Sequence, residues 1–213
     1  MNALSHAARL LLGPVIARYS AEHPEVGLEV VVQDAMVDIV GEDFDAGIRF
    51  GDRMPEDMIA IPLGDPLLWV MAASPAYLEA AREPESPEDL ARHRCIGMRT
   101  GTGAMCHWEL VTGKAARTLN LSWSAVVHES ALAIGIARDH CGIAYCLRER
   151  VTDLIDAGQL REVLHQGASP GEAIHIYYPS RRQQPETLRK IITMIRDEAR
   201  TRSAKRPTSL SNG

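Results

Sequence analysis

Apolar residues along the chain follow two rhythms, short continuous runs and longer stripes at helical spacing, and the two alternate. Leu11, Leu12, Val15, Ile16 and Tyr19 form a stripe with Arg9, Arg18 and Glu22 on other faces, which predicts a helix over 7–23. Pro14 lies inside it, so the helix either kinks there or starts just before it. His23-Pro24 ends the pattern. A β-branched run at 28–32 predicts a buried parallel strand, and 36–42 a short helical segment. Residues 46–50 (AGIRF) read as a strand that opens onto a turn-rich loop containing Gly51, Asp52, Met54 and Pro55.

Two further apolar runs, 59–63 and 67–73, flank the turn residues Gly64, Asp65 and Pro66. Ser74 and Pro75 then supply a helix cap and a first-turn proline, and Ser86-Pro87-Glu88-Asp89 repeats the device with acids at the positive end of the helix dipole. Beyond these the expected order is a strand at 95–98, a loop of Arg99, Thr100, Gly101, Thr102 and Gly103, and strand-like runs at 108–111 and 119–127 about a turn at Gly113-Lys114. A helix over 130–139, capped by Glu129 or Ser130, follows. Then come a strand at 142–146, a helix over 147–157 ended by Gly158, a strand at 173–178 and a last helix over 185–202. Leu188, Ile191, Ile192 and Ile195 are the core stripe of that last helix. Residues 203–213 have little to bury and are expected to be disordered. This alternation is the pattern of α/β half-domains.

Composition narrows the function. The 46% hydrophobic and 24% charged residues are those of a globular chain. No apolar run reaches the roughly 20 residues of a membrane helix, and no signal peptide opens the chain, which predicts a cytoplasmic protein without a membrane partner. The net charge of -5 argues against DNA binding by this chain alone, since nonspecific affinity needs Lys and Arg to neutralise phosphates. Cys95, Cys106, Cys141 and Cys146 form no CxxC pair and read as inert thiols.

The stretch FDAGIRFGDRMPEDMIAIPLG, with the later RHRCIGMRTGTG and IHIYYPSRRQ, resembles in order and spacing the effector-binding domains of LysR-type transcriptional regulators, over about 3–198. The resemblance implies an α/β fold of two Rossmann-like subdomains joined by two crossing strands, like type 2 periplasmic binding proteins. Subdomain 1 would be 1–72 plus 176–202, subdomain 2 would be 73–175, and 203–213 the tail. It implies a small-molecule effector in the interlobe cleft, a homodimer that becomes a tetramer at full length, and DNA contact only through a winged helix-turn-helix that this sequence lacks. For the effector site it points to Leu4, Ser5, His6, Arg49 and Phe50 from the first half. From the second it points to Arg99, Thr100, Gly101, Thr102 and Gly103, with His128, Glu129 and Ser130.

These residues have other readings. Arg49 can pair with Asp45 or Asp52 on a surface loop, the 99–103 loop can be a plain turn, and His128 and Glu129 suit a helix cap. The 99–103 loop lacks GxGxxG spacing and a P-loop lysine, so it is no nucleotide cradle; its N–H groups, hydroxyls and guanidinium suit a small anion such as a carboxylate. Neither HExxH nor GxSxG occurs, which predicts no catalysis, no metal and no cofactor. A stand-alone solute-binding module and a non-functional truncated fragment remain the alternatives to a regulator's sensing domain.

Overall fold

The computed structural model describes residues 1–35, 37–51, 57–112, 115–180 and 184–205. In chain order, β1 is Asn2–Ala3, and one long helix follows as α1 (Ser5–Ala7), a π-helical stretch (Ala8–Leu12) and α2 (Gly13–Glu22). Then come β2 (Val31–Val32), β3 (Gly47–Phe50), β4 (Met58–Pro62), β5 (Leu68–Ala73), α3 (Pro75–Ala81), a 3-10 turn (Pro87–Arg92) and β6 (Cys95–Met98). β7 (Glu109–Thr112), β8 (Ala115–Thr118), β9 (Trp123–Val127), α4 (Ser130–Arg138) and β10 (Ile143–Leu147) continue the chain. It ends with α5 (Thr152–Asp156), β11 (Arg161–Val163), β12 (Ser169–Pro170), β13 (Ile174–Pro179) and α6 (Glu186–Lys205).

Two compact units result, Met1–Pro66 with Glu172–Gly213, and Leu67–Gly171. The first crossing follows the Gly64-Asp65-Pro66 turn directly, so β5 stands wholly in the second unit and β13 wholly in the first.

The sheet of the first unit has the order β2-β1-β3-β13-β4, with β1 parallel to both β2 and β3, and β13 antiparallel to both β3 and β4. The second unit repeats this plan as β9-β6-β10-β5-β11, with β6 parallel to β9 and β10, and β5 antiparallel to β10 and β11. In each, the first parallel strand sits between the second and the third.

The continuous apolar character of β5 and β10 has a direct cause: both faces of this sheet are covered. Met71, Ala73, Cys95, Ile143 and Tyr145 face a cluster with Tyr77, Leu78, Leu90 and Trp108. Val70, Ala72, Ile96, Ala144 and Cys146 face the opposite cluster, with Ala133, Ile134 and Ala137 of α4. Burial holds the Cys95 thiol up at about 11 and Cys146 at about 12.

Several sequence expectations need correction. The helical stretch begins earlier than expected, at Ser5, while its regular segment α2 starts at Gly13, just before Pro14 as one of the two readings had it, so that the proline sits in the first turn after the π-helical stretch Ala8–Leu12. The strand expected at 28–32 is only Val31–Val32, a half-exposed sheet edge. In place of a helix at 36–42 the described residues make turns, with the Asp38 carboxylate accepting from the Val40 and Gly41 N–H groups. The helix expected at 147–157 is a 3-10 turn (Arg148–Arg150) followed by α5, since Leu147 still pairs with Trp69 in the sheet. Residues 203–205, expected in the tail, complete α6. Met36, the loop positions Asp52, Met54 and Pro55, the Gly113-Lys114 turn and the rest of the tail, 206–213, lie outside the described residues.

Candidate functional site

In open α/β sheets, ligands collect beyond the carboxyl ends of parallel strands, where successive crossovers leave in opposite directions. Each unit has such a point, because its central strand is flanked by later strands on both sides. The candidate residues fall at these ends.

In the first unit, Leu4 and Ser5 follow β1, Gln33 and Asp34 follow β2, and Phe50 ends β3. Ser5 is exhaustively used as a donor: its backbone N–H reaches Asp34 Oδ1 at 2.7 Å and its hydroxyl reaches Oδ2 at 2.8 Å. Arg49 lies within β3 and is 2% exposed. Its Nη1 donates to the Ile48 carbonyl at 2.8 Å, while Nη2 donates to the Ala35 carbonyl at 3.1 Å and to Asn2 Oδ1. Thus Arg49 ties β1, β3 and the segment after β2 together; Asp45 is not among these three partners, and Asp52 lies outside the described residues. His6 is buried in α1, and Phe50 is half-buried. Two buried polar atoms of this sheet, Asn2 Nδ2 and Tyr177 Oη, have no hydrogen-bond partner among the described residues. Burial pushes the Tyr177 phenol up, and the charge of Arg49 opposes the shift.

In the second unit, Arg99 follows β6, His128 and Glu129 follow β9, and Arg148 follows β10. The Arg99 N–H donates to the Val127 carbonyl at 2.8 Å, which draws the 99–103 loop against the end of β9 and so beside His128. The loop is a tight reversal. Thr100 N–H reaches the Ala104 carbonyl and Gly103 N–H the Thr100 carbonyl, both at 2.8 Å, with Gly103 at φ 82. Thr100 Oγ1 and Thr102 Oγ1 stand 2.8 Å apart, and Arg99 Nη1 donates to the Gly103 carbonyl at 2.8 Å. Arg99, Gly101, Thr102, Gly103, His128 and Glu129 are all exposed, and Thr100 is half-buried. Glu129 occupies the cap position of α4 without a side-chain capping bond. The arrangement offers an exposed guanidinium and two hydroxyls in a small volume, a set suited to a carboxylate or another small oxyanion. Among the described residues no group of His, Cys, Asp or Glu is placed to hold a metal ion, and no helix is long and apolar enough to cross a membrane.

Comparison with known proteins places this architecture. The family model described as the LysR substrate binding domain matches residues 1–200. The chain belongs to that family. The HTH-type transcriptional regulator PgrR of Escherichia coli is 30% identical to this LysR-family chain over 183 residues, which cover 85% of this chain and 61% of PgrR. YcaN, also an HTH-type regulator of Escherichia coli, is 29% identical over 198 residues, 92% of this chain and 64% of YcaN. The LysR-family chain therefore spans less than two thirds of the length of these relatives. Among solved structures, the regulatory domain of CrgA from Neisseria meningitidis superposes with a TM-score of 0.82 at 22% identity, covering 93% of this chain and 96% of that one. The regulatory domain of AphB from Vibrio vulnificus gives 0.78 at 18% identity, covering 91% and 95%. These likenesses establish the fold, two Rossmann-like α/β units of the periplasmic-binding-protein type traversed twice by the chain.

Two residues at the strand ends escaped the sequence reading. Asp34 holds Ser5, and Arg148 makes a two-pronged ion pair with Glu162 at 2.6 and 3.2 Å. The repeated strand order was the available signal: if Ser5 follows the central strand, the residues ending its two parallel neighbours belong to the same edge.

Proposed function

We propose that this chain is the effector-sensing domain of a LysR-family DNA-binding transcriptional regulator, and that it binds a small acidic metabolite with contacts from both units. The acidic group is received by Arg99 and the Thr100, Gly101, Thr102 and Gly103 loop, with His128 and Glu129 beside it. Ser5, His6 and Phe50 border the contact from the first unit, and Arg49 positions their strand ends. The observation that carries this reading is the exposed Arg99 guanidinium at the carboxyl end of β6, next to the paired threonine hydroxyls. Effector contacts to both units favour one arrangement of the pair, and that preference is transmitted to DNA through a helix-turn-helix portion outside this chain. A second copy joins it in a dimer, and in a tetramer at full length. The protein works in the cytoplasm.

Metabolite screening by thermal shift, followed by calorimetry on the hit, tests the reading. Arg99→Ala should weaken binding by about tenfold or more, the worth of a charge-assisted hydrogen bond, with the unfolding temperature unchanged because the side chain is exposed. Unchanged affinity in that variant would remove the loop from the site.

A further inference from the structure

One row of the first sheet brings two buried polar side chains together across a glycine. Asn2 of β1 and Tyr177 of β13 both pair with Gly47 of β3, from opposite sides. Residues paired in register project from the same face of a sheet, so the two side chains share a face over a residue that has none. Gly47 makes this possible. A Cβ there would lie 2.4 Å from Tyr177 Cζ and 2.6 Å from Tyr177 Oη, so the phenol covers the glycine and carries its hydroxyl over β3. Asn2 is 0% exposed and Tyr177 1%.

The Asn2 amide has a fixed orientation. Arg49 donates from Nη2 to Asn2 Oδ1, and a guanidinium has donors only, so the amide oxygen faces Arg49 and Nδ2 is turned from it. Nδ2 thus keeps its N–H donors, and Tyr177 Oη can both donate and accept. Neither atom has a hydrogen-bond partner among the described residues. A buried donor without an acceptor loses its hydration and gains nothing in return.

We propose that Asn2 Nδ2 and Tyr177 Oη form a binding site for a single buried water, which accepts a hydrogen bond from the amide and shares one with the phenol. It joins β1 to β13, strands that each pair with β3 and not with one another. The chemistry of the donors selects water over an anion. Both are neutral, and Arg49 directs Nη1 and Nη2 to the Ile48 and Ala35 carbonyls and to Asn2 Oδ1. Two neutral hydrogen bonds do not offset the burial of a whole charge, whereas a buried water commonly satisfies polar groups left over inside a protein. The bridge holds the amide in the orientation that presents Oδ1 to Arg49. It belongs to the frame beneath the strand ends and does not depend on the effector reading.

A high-resolution crystal structure of the chain, grown without halide, should show an ordered water within hydrogen-bonding distance of both Asn2 Nδ2 and Tyr177 Oη. The proposal is overturned if no water is seen there, if it touches only one of the two atoms, or if the amide and the phenol bond directly. An anomalous bromide peak at the same position in crystals soaked in sodium bromide would overturn it as well, in favour of an anion site. In solution the sign of one substitution decides. Tyr177→Phe should lower the urea midpoint of unfolding, because the water loses an anchor and Nδ2 its secured acceptor. A phenol buried without a partner would be relieved by the same change, so a raised or unchanged midpoint overturns the proposal. Crystals of Tyr177→Phe should have lost the water, and its persistence in place would show that the phenol does not hold it.

Discussion

A Cβ placed on Gly142 would lie 2.2 Å from the backbone oxygen of Arg94, and the residue takes φ 148, a conformation that side chains rarely tolerate. That close approach lets the Ile143 N–H reach the same Arg94 carbonyl at 2.8 Å and start the pairing of β10 with β6. Gly142→Ala should therefore destabilise the second unit by about 3 kcal/mol, the cost of overpacking combined with backbone strain, measured by urea titration of tryptophan fluorescence. A second residue-scale effect belongs to His93. Tyr77 Oη accepts the Arg94 N–H at 3.0 Å and lies 3.1 Å from His93 Nδ1, a hydrogen bond in which either group can be the donor. Burial lowers the pKa of His93 below its ordinary 6.5, with Asp89 opposing. A base with a depressed folded-state pKa stabilises the fold above the unfolded value, and the contribution disappears as pH falls below 6.5 through the folded value. Denaturation midpoints should drop over that window in the unaltered chain and drop less in His93→Gln.

At the scale of elements, what could be read from the sequence depended on what covered each strand. β5 and β10 were legible because burial on both faces makes them apolar throughout. β2 was misjudged for the opposite reason: Val32 is 53% exposed, and its β-branched neighbours sit on an edge that pairs on one side only. The segment after it resembled a helix by spacing, but Asp38 accepts the very N–H groups a helix would use internally. In the candidate site, local turn chemistry made the Arg99 loop visible. The Arg49 partners were hidden because Asn2 and Ala35 lie 47 and 14 residues away in sequence, joined to it only by sheet order. Asp34 was missed on the same ground, 29 residues from Ser5.

At the scale of the whole molecule, the two units are the same strand plan executed with different continuity. The second is one uninterrupted segment, Leu67–Gly171, and holds all three tryptophans, with Trp69 and Trp108 both stacked on Tyr145 and Trp108 against Trp123. A fragment of 67–171 should fold cooperatively, with the buried-indole emission of the intact chain. A fragment of 1–66 should show no cooperative transition, because β3 and β4 both need β13 as partner. A 67–171 fragment without a thermal transition would contradict this.

The late arrival of β13 has a consequence on the ribosome. When the first 66 residues emerge, their sheet has a gap where its fourth strand belongs, and it stays open until a hundred more residues have been made. The middle of the chain can close on itself during that wait, so of the two units the one begun earlier is the one completed later, and the nascent protein must keep Ile48 and Ile61 from other partners meanwhile.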